Sequence, residues 1–244
     1  MGQTYLLIGG GGGQGSAVTR RLIARGATVV IAERNAEKAE ARASALGAEP
    51  EHCDATDFTR VEDLVGRVVE RHGSLEGIAN FAGSIVIKPI ASVSHDEFLQ
   101  TINQNLSSAF ATVRAASRPM QKAGKGSIVL MSSCAARIGL MHHEAIAAAK
   151  GGVISLAQTA AASMASKGVR VNCVAPGLVD TPMAERLTSS DRAREASESM
   201  HALGRLGTPD DTAPLIDWLL SDESSWVTGQ CFGVDGGLAA VKGR

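Results

Sequence analysis

The chain has few aromatic residues and few cysteines, and each shortage narrows its possible chemistry. Aromatic side chains make up 3% of the 244 residues, which argues against a pocket built on stacking. The cysteines contain no CxxC pair, which argues against a disulfide framework and against a metal site. They are typical of reduced thiols in a cytoplasmic protein, and they are Cys53, Cys134, Cys173 and Cys231.

Runs of charge and long apolar runs are also missing. The formal net charge is −1 and no basic run occurs, so the sequence predicts no nucleic-acid partner and no membrane-surface partner. The apolar run "TYLLIG" is much shorter than the ~20 residues of a spanning helix, and it lacks the charged start of a secretion signal. A membrane partner is therefore not expected.

Strand-like and helix-like segments alternate along the chain, without an intervening linker. Strands are predicted at 4–9, 28–33, 77–83, 127–133, 169–177 and 229–237, and helices at 16–26, 35–47, 61–73, 95–120, 145–168 and 210–222. Strands that are apolar on both faces imply a parallel sheet covered by helices on each side. The prediction is an α/β fold with a doubly wound parallel sheet in one domain over 1–244. The polar, helix-prone stretch 178–207 is expected to form a lid over the ligand crevice.

A glycine-rich turn lies between the first predicted strand and the first predicted helix. The stretch "GGGGGQG" (9–15) places Gly9 where a tight turn is needed, Gly13 where backbone would approach a pyrophosphate, and Gly15 where helix and strand would pack closely. The N-terminus of the following helix supplies amide donors and partial positive charge to the phosphates. The turn therefore predicts a dinucleotide-binding site.

An acidic residue ends the second predicted strand. Glu33 lies 18 residues beyond Gly15, where a carboxylate can bond both ribose hydroxyls of the cofactor. Arg34 follows, and an arginine at this place can pair with a 2′-phosphate instead. Because a carboxylate would repel that phosphate, NAD is the expected cofactor, with NADP as the alternative.

Further short stretches join the glycine spacing: "CDATD" (53–57), "NFAG" (80–83), "INQNLSSAF", "IVLMSSCA", "VNCVAPGLVDTPM", "GRLGTPDDTA" and "VTGQCFGVDGG". Together they make the sequence similar to the short-chain dehydrogenase/reductase family over essentially its whole length. The resemblance implies a Rossmann fold with a seven-stranded sheet, a homotetramer and a nicotinamide cofactor. By position it implies cofactor contacts at Gly9, Gly13, Gln14, Gly15, Glu33, Arg34, Asp54, Ala55, Asn80, Ala82, Gly83, Lys150, Pro176, Gly177, Val179 and Thr181.

The same resemblance implies three catalytic residues and one missing residue. Asn105 matches the family asparagine that bends its helix and holds a proton-relay water, Ser133 matches the catalytic serine, and Lys150 matches the lysine. The family places a tyrosine thirteen residues after the serine and four before the lysine. Here that position is Ile146, and the only tyrosine in the chain is Tyr5. The chain looks like an atypical member that lacks the usual proton donor.

A nearby histidine is a candidate substitute for the tyrosine. If the helix begins near His142, then His143, Ile146 and Lys150 share one face by their spacing. A histidine has a pKa suited to proton transfer. A place at the pocket rim is the alternative for His143. Glu144 either takes part in the chemistry or only favours the helix dipole.

The sequence favours an NAD(P)-dependent oxidoreductase that interconverts a hydroxyl and a carbonyl, or reduces a conjugated carbonyl, on a small organic substrate. Arg137 either binds an acidic substrate or is a solvated loop residue. Two rival classes stay open: a dinucleotide-binding sensor or partner protein without turnover, and a non-redox lyase or isomerase. Ser133 favours the enzyme, because a protein that only binds the cofactor hardly needs this hydroxyl.

Overall fold

A parallel β-sheet carries the fold, and the computed structural model describes residues 2–241. The strands are β1 (Thr4–Ile8), β2 (Thr28–Glu33), β3 (Glu49–His52), β4 (Gly77–Asn80), β5 (Gly126–Met131), β6 (Val169–Pro176) and β7 (Cys231–Val234). They pair in parallel in the order β3-β2-β1-β4-β5-β6-β7. The strand order reverses between β1 and β4, which opens a crevice at the carboxyl edge of the sheet. The predicted α/β class with a doubly wound parallel sheet is confirmed.

Helices cover both faces of the sheet. They are α1 (Gly13–Ala24), α2 (Ala36–Leu46), α3 (Phe58–His72), α4 (His95–Ile102), α5 (Ser108–Ala123), α6 (Glu144–Met164), α7 (Asp191–Ser199) and α8 (Pro209–Leu220). One core lies between the sheet and α3, α5 and α6, and the other between the sheet, α1 and α8. In β1, Leu6 and Ile8 enter the first core, whereas Tyr5 and Leu7 enter the second. Alternation of side chains along a strand thus explains why β1 is apolar throughout.

The edge strand β3 is absent from the six strands predicted by the apolar pattern, although the family resemblance implies a seventh strand. Its residues are half-buried or exposed in alternation, and Glu51 pairs with Arg67 and Arg71 of α3 at 2.8 Å each. A strand held to a helix by ion pairs has no apolar pattern to reveal it.

The single helix predicted at 95–120 is divided by one π-helical turn. This turn covers Asn103–Ser107, between α4 and α5, and it carries the buried Asn105. Such turns widen a helix locally and are frequent at functional sites. The π-helical turn therefore indicates a functional site near Asn105.

Within residues 2–241, Glu144–Lys167 is the one helix long and apolar enough to cross a membrane by length and composition. It consists of α6 and the short turn that follows. In this fold it packs against β6 and α5. A core helix of this kind passes the same test of composition, and this one also carries Lys150 on its buried face.

Helix α1 begins at Gly13, earlier than the predicted start at residue 16. The glycines thus form its first turn. A Cβ at Gly15 would lie 2.6 Å from Cα of Gly10. Gly15 was predicted to allow close packing of the helix against a strand. Its close contact is instead with Gly10 in the glycine-rich turn.

We expect Gly15→Ala to destabilise the protein by about 1–3 kcal/mol, because the added methyl group overlaps the backbone of Gly10. The matched control is Gly66→Ala in α3, where nothing lies within 4 Å of the added methyl group. That variant should gain up to about 1 kcal/mol, since alanine favours a helix more than glycine does. Denaturant unfolding measures both. Equal effects in the two variants would contradict the packing argument.

Candidate active site

The glycine-rich turn joins β1 to α1 and lies against the turn that follows β4. Gly9 has φ = +73°, a conformation that favours glycine, and its N–H donates to the carbonyl of Ala32 at 2.7 Å. A Cβ at Gly9 would lie 2.8 Å from the amide nitrogen of Ala82. The tight turn at Gly9 therefore brings the start of α1 beside the ends of β2 and β4.

The start of α1 lacks a side-chain cap. Its N-cap is Gly12, and its first turn has no acidic residue. By contrast, Asn35, Asp57 and Ser94 each cap one of the helices α2, α3 and α4. Uncapped N–H donors and the helix dipole together favour an anion. The residues present therefore fit the pyrophosphate of a dinucleotide cofactor.

Two predicted cofactor residues, Gly13 and Thr181, lie in contact across this crevice. A Cβ at Gly13 would lie 2.8 Å from the methyl carbon of Thr181, so only glycine permits the approach. Beside them, Oε1 of Gln14 is buried and has no hydrogen-bond partner among the residues described. A buried amide oxygen without a partner costs stability unless water or a ligand supplies the bond.

The carboxylate of Glu33 has protein partners on both oxygens. Oε1 accepts the N–H of Gly11 at 2.8 Å, and Oε2 pairs with Nζ of Lys38 at 3.1 Å. Lys38 is not among the residues predicted from the sequence to lie at this site. A carboxylate has about four acceptor sites, so ribose hydroxyls can still donate to it. Arg34, which follows, is exposed.

Asp54 organises the turn after β3. Its Oδ1 accepts the N–H of Thr56 at 2.9 Å and the hydroxyl of the same residue at 2.8 Å. The bond from the Thr56 N–H, above all, lowers the pKa of the Asp54 carboxyl group. Ala55 is buried between these two residues. The charged form of Asp54 is thus held at the carboxyl edge of the sheet.

Asn80 organises the turn after β4 in a similar way. It is buried, its Oδ1 accepts the N–H of Ala82 at 2.8 Å, and its amide group donates to Oγ1 of Thr112 at 2.9 Å. Both ends of the side chain are therefore occupied in holding the turn, which presents Ala82 and Gly83 to the crevice.

Asn105, Gly83 and Lys150 converge on one point. A Cβ at Gly83 would lie 2.7 Å from Oδ1 of Asn105 and 3.5 Å from Nζ of Lys150. The amide group of Asn105 donates to the carbonyl of Thr101 at 2.9 Å, and its Oδ1 accepts the N–H of Ser84 at 3.2 Å. The structure thus brings three predicted site residues together, and glycine keeps the space between them open.

The ammonium group of Lys150 is buried, and no salt bridge to it occurs within residues 2–241. Nζ donates to the carbonyl of Met131, at the end of β5, at 2.8 Å. The hydroxyl of Ser132 donates to the backbone carbonyl of Lys150 at 2.9 Å. Burial lowers the pKa of Lys150 to about 8, because apolar surroundings disfavour the charged form. Lys150 therefore loses its proton at a lower pH than an exposed lysine does.

Ser133 follows β5 and is half-buried. Its Oγ accepts the N–H of Ala135 at 3.2 Å and so caps the short turn Cys134–Ala136. Because Oγ accepts in that bond, the hydroxyl proton stays available to donate to a substrate oxygen. The nearby Arg137 is exposed, and its guanidinium lies over Gly233 of β7.

Helix α6 begins at Glu144. The prediction that His143 shares one helix face with Ile146 and Lys150 needed the helix to begin near His142, and it is wrong. His143 is the N-cap, with φ = −105° and ψ = 12°, so it lies outside the helix. Its Nδ1 bonds the carbonyl of Met141 at 2.8 Å. Since a carbonyl only accepts, Nδ1 carries a proton, and in the neutral ring the lone pair is therefore on Nε2. Ile146 is buried, and no hydrogen bond within the described chain joins His143 to the other predicted catalytic side chains.

The segment 178–207 begins at the end of β6 and returns to the same sheet edge. It contains α7, and Val179 at its start pairs with Gly207 at its end. The N–H of Gly177, which follows Pro176, donates to β7 at 3.1 Å. The buried His201 packs against Gly177. His201 is not among the residues predicted from the sequence, because one histidine in a polar segment forms no recognisable pattern.

Comparison with known proteins agrees with this geometry. A family model described as enoyl-(acyl carrier protein) reductase matches residues 11–239. A 2,5-dichloro-2,5-cyclohexadiene-1,4-diol dehydrogenase of Sphingobium indicum is 36% identical over 245 residues, covering 98% of each chain. The chain belongs to the short-chain dehydrogenase/reductase family. The family prediction is thereby confirmed.

Solved structures of similar proteins share the whole fold. A short-chain type dehydrogenase/reductase from Mycobacterium ulcerans has a TM-score of 0.94 at 34% identity, over 99% of this chain and 91% of its own. An actinorhodin polyketide ketoreductase solved with NADPH has a TM-score of 0.94 at 26% identity, over 98% of both chains. The sheet and its helices are therefore those of a short-chain family member.

We expect the affinity for NADH to fall by about tenfold as the pH rises from about 7 to about 9.5, because Lys150 then loses its charge and with it a charge-assisted hydrogen bond. The midpoint should lie near the pKa of about 8. Lys150→Met is the control and should bind NADH weakly across the whole range. Fluorescence titration measures the dissociation constants. The same alkaline loss in the methionine variant would show that another group is responsible.

Proposed function

We propose that the protein is an NAD(P)-dependent oxidoreductase that interconverts a hydroxyl and a carbonyl, or reduces a conjugated carbonyl, on a small organic substrate. The observation that carries the proposal is the convergence of Asn105, Gly83 and Lys150 at the crevice beside the uncapped start of α1. Burying an ammonium group costs free energy. A purely structural role would not require a lysine at this place.

The dinucleotide would lie along the carboxyl edge of the sheet. The amide groups from Gly13 onward would bind the pyrophosphate, Glu33 the adenosine ribose, and Lys150 the nicotinamide ribose. The other proposed cofactor contacts are Gly9, Gln14, Gly15, Arg34, Asp54, Ala55, Asn80, Ala82, Gly83, Pro176, Gly177, Val179 and Thr181.

When bound, the nicotinamide accepts or supplies a hydride at the substrate carbon. Ser133 would donate a hydrogen bond to the substrate oxygen, and the charge of Lys150 would stabilise negative charge that develops there. Ile146, where the family's tyrosine is expected, transfers no proton. The neutral ring of His143 would offer a lone pair at Nε2, which would suit it to accept the proton of an alcohol. Asn105 would hold a relay water.

The buried Ile146 also supports a second candidate, a dinucleotide-binding sensor or partner protein without turnover. An apolar side chain at this place leaves Lys150 and the crevice intact for binding while removing a proton donor. A non-redox lyase or isomerase that uses His143 or Glu144 is a third candidate. These classes separate by whether the substrate changes oxidation state and whether NAD(H) is consumed.

We further propose a cytoplasmic homotetramer that acts on small molecules, with the segment 178–207 as its lid. Large apolar side chains on α4 and α5 are exposed in the single chain: Phe98, Leu99 and Phe110. A monomer would leave this apolar surface in water, whereas a symmetric assembly would bury it.

We expect NADH to bind about tenfold more tightly than NADPH, because the carboxylate of Glu33 repels a 2′-phosphate. Glu33→Ala should narrow this difference. Glu40→Ala, an exposed carboxylate on α2, is the control and should leave the preference as it is. Calorimetric titration with each dinucleotide tests this. If the native protein prefers NADPH, then Arg34 and Lys38, and not Glu33, determine the cofactor preference.

We expect Ile146→Tyr to create or raise reductase activity on simple activated ketones by about tenfold or more, since a general acid typically contributes about 10²–10⁴-fold. Ile146→Phe is the matched control: it adds the ring without the hydroxyl and should give no gain. NADH binding and thermal unfolding verify that both variants are folded, because a larger ring can overpack its neighbours. A folded, NADH-binding tyrosine variant that stays inert on a broad ketone panel would favour the sensor.

We expect His143→Ala to lower turnover of the native substrate by about 10²–10⁴-fold, with NADH affinity unchanged, if His143 moves the proton. His142→Asn is the control, since His142 has φ = +68° and asparagine tolerates that conformation. Steady-state kinetics measures both variants. Unchanged turnover in His143→Ala would assign the proton to the substrate, to Glu144, or to water held by Lys150 and Asn105.

A further inference from the structure

A buried histidine lies behind the turn that follows β6. His201 is 3% exposed. Its Nδ1 bonds the carbonyl of Ser197 at 2.8 Å, and its Nε2 accepts the backbone N–H of Leu178 at 3.1 Å. A carbonyl only accepts and an N–H only donates. The geometry therefore requires the neutral ring with its proton on Nδ1.

The ring also supports the turn by direct packing. A Cβ at Gly177 would lie 2.7 Å from Nε2 of His201, so residue 177 must be glycine for the ring to lie there. The carbonyl of Leu178 accepts the N–H of Gly207 at 3.0 Å, and Val179 pairs with Gly207. One imidazole thus connects the end of α7 to the first residues after β6 and to the root of the segment 178–207.

We propose that neutral His201 is a positioning residue that holds the Gly177–Leu178 turn, and with it Val179 and Thr181, in the conformation that receives the cofactor. A second proton on Nε2 would set two donors face to face and release the N–H of Leu178. A doubly protonated ring would therefore weaken cofactor binding through this turn. This proposal rests on the proposed role of the turn in binding the dinucleotide.

Both ring nitrogens of His201 bond backbone groups, and no ion pair to the ring occurs within residues 2–241. Both carboxylate oxygens of Asp235, from the chain after β7, accept backbone N–H groups at 3.0 and 3.2 Å. Arg205 and Asp211, which line the same cavity, pair with each other at 2.7 and 2.8 Å. Glu198, on the ring's own segment, lies 3.7 Å from Arg194. A second proton on the ring would therefore remove the hydrogen bond from the N–H of Leu178 without completing an ion pair in this arrangement.

Two substitutions distinguish the hydrogen-bond acceptor at Nε2 of His201 from the space that the ring fills. His201→Gln keeps an amide oxygen and does not titrate, whereas His201→Leu removes the acceptor. NADH dissociation constants would be measured for the folded proteins at about pH 7 and about pH 5, a range that lies below the pKa of Lys150 and in which histidines gain a proton. His95→Gln, an exposed histidine on α4, is the matched control.

The wild type and the His95→Gln control should lose about tenfold in NADH affinity on acidification, the size of one lost hydrogen bond. His201→Leu should bind about tenfold more weakly at both pH values, and His201→Gln should bind like the wild type at about pH 7 without the acid loss. A His201→Gln protein that keeps the full acid loss would overturn the proposal. That variant decides the matter even if His201→Leu fails to fold.

Thr181→Ala distinguishes a failure of this proposal from a failure of the proposed function. A Thr181→Ala protein that binds NADH as tightly as the wild type would show that the dinucleotide lies elsewhere. If Thr181→Ala weakens NADH binding and the two His201 variants match the wild type at both pH values, then only the role of His201 is wrong.

Discussion

The burial of one ammonium group is the constraint on which the candidate site depends. Lys150 lies inside the protein and donates to the carbonyl of Met131 at 2.8 Å. An unpaired buried charge is costly, so the surroundings must supply polar contacts and leave room. Gly83 provides the room and Asn105 provides a polar neighbour. Four parts of the chain therefore meet here: the ends of β4 and β5, the π-helical turn and α6.

The proposed cofactor-binding residues and the proposed catalytic residues lie at the same edge of the sheet. The turn at Gly9 leaves β1 beside the turn after β4, and that turn carries Gly83 to Lys150. On the other side, Thr181 reaches across to Gly13, so the root of the segment 178–207 touches the start of α1. A parallel sheet places all these loops at one edge, because every strand points the same way.

The proposed chemistry separates charge stabilisation from proton transfer. Ser133 and Lys150 can stabilise charge on a substrate oxygen, and this is often the larger part of catalysis. In the family, the side chain that transfers the proton is expected on α6 at position 146. Here that role would fall to His143 in the loop before α6, whose Nδ1 carries a proton. A base on a loop is held less rigidly than one on a helix. Such an enzyme would depend on how the loop is ordered when substrate binds.

The order of strands and helices, the glycine turn and the family were determined by the sequence alone, because apolar periodicity and glycine spacing are local properties. The edge strand β3 and the π-helical turn leave no apolar pattern and were indicated only by the family resemblance. Their contacts are to residues distant in sequence: Arg67 and Arg71 for β3, and Ser84 for Asn105 in the turn. Tertiary structure likewise decided that Glu33 meets Lys38 and that His201 supports Gly177. Such contacts follow from how elements pack, and no periodic pattern records them.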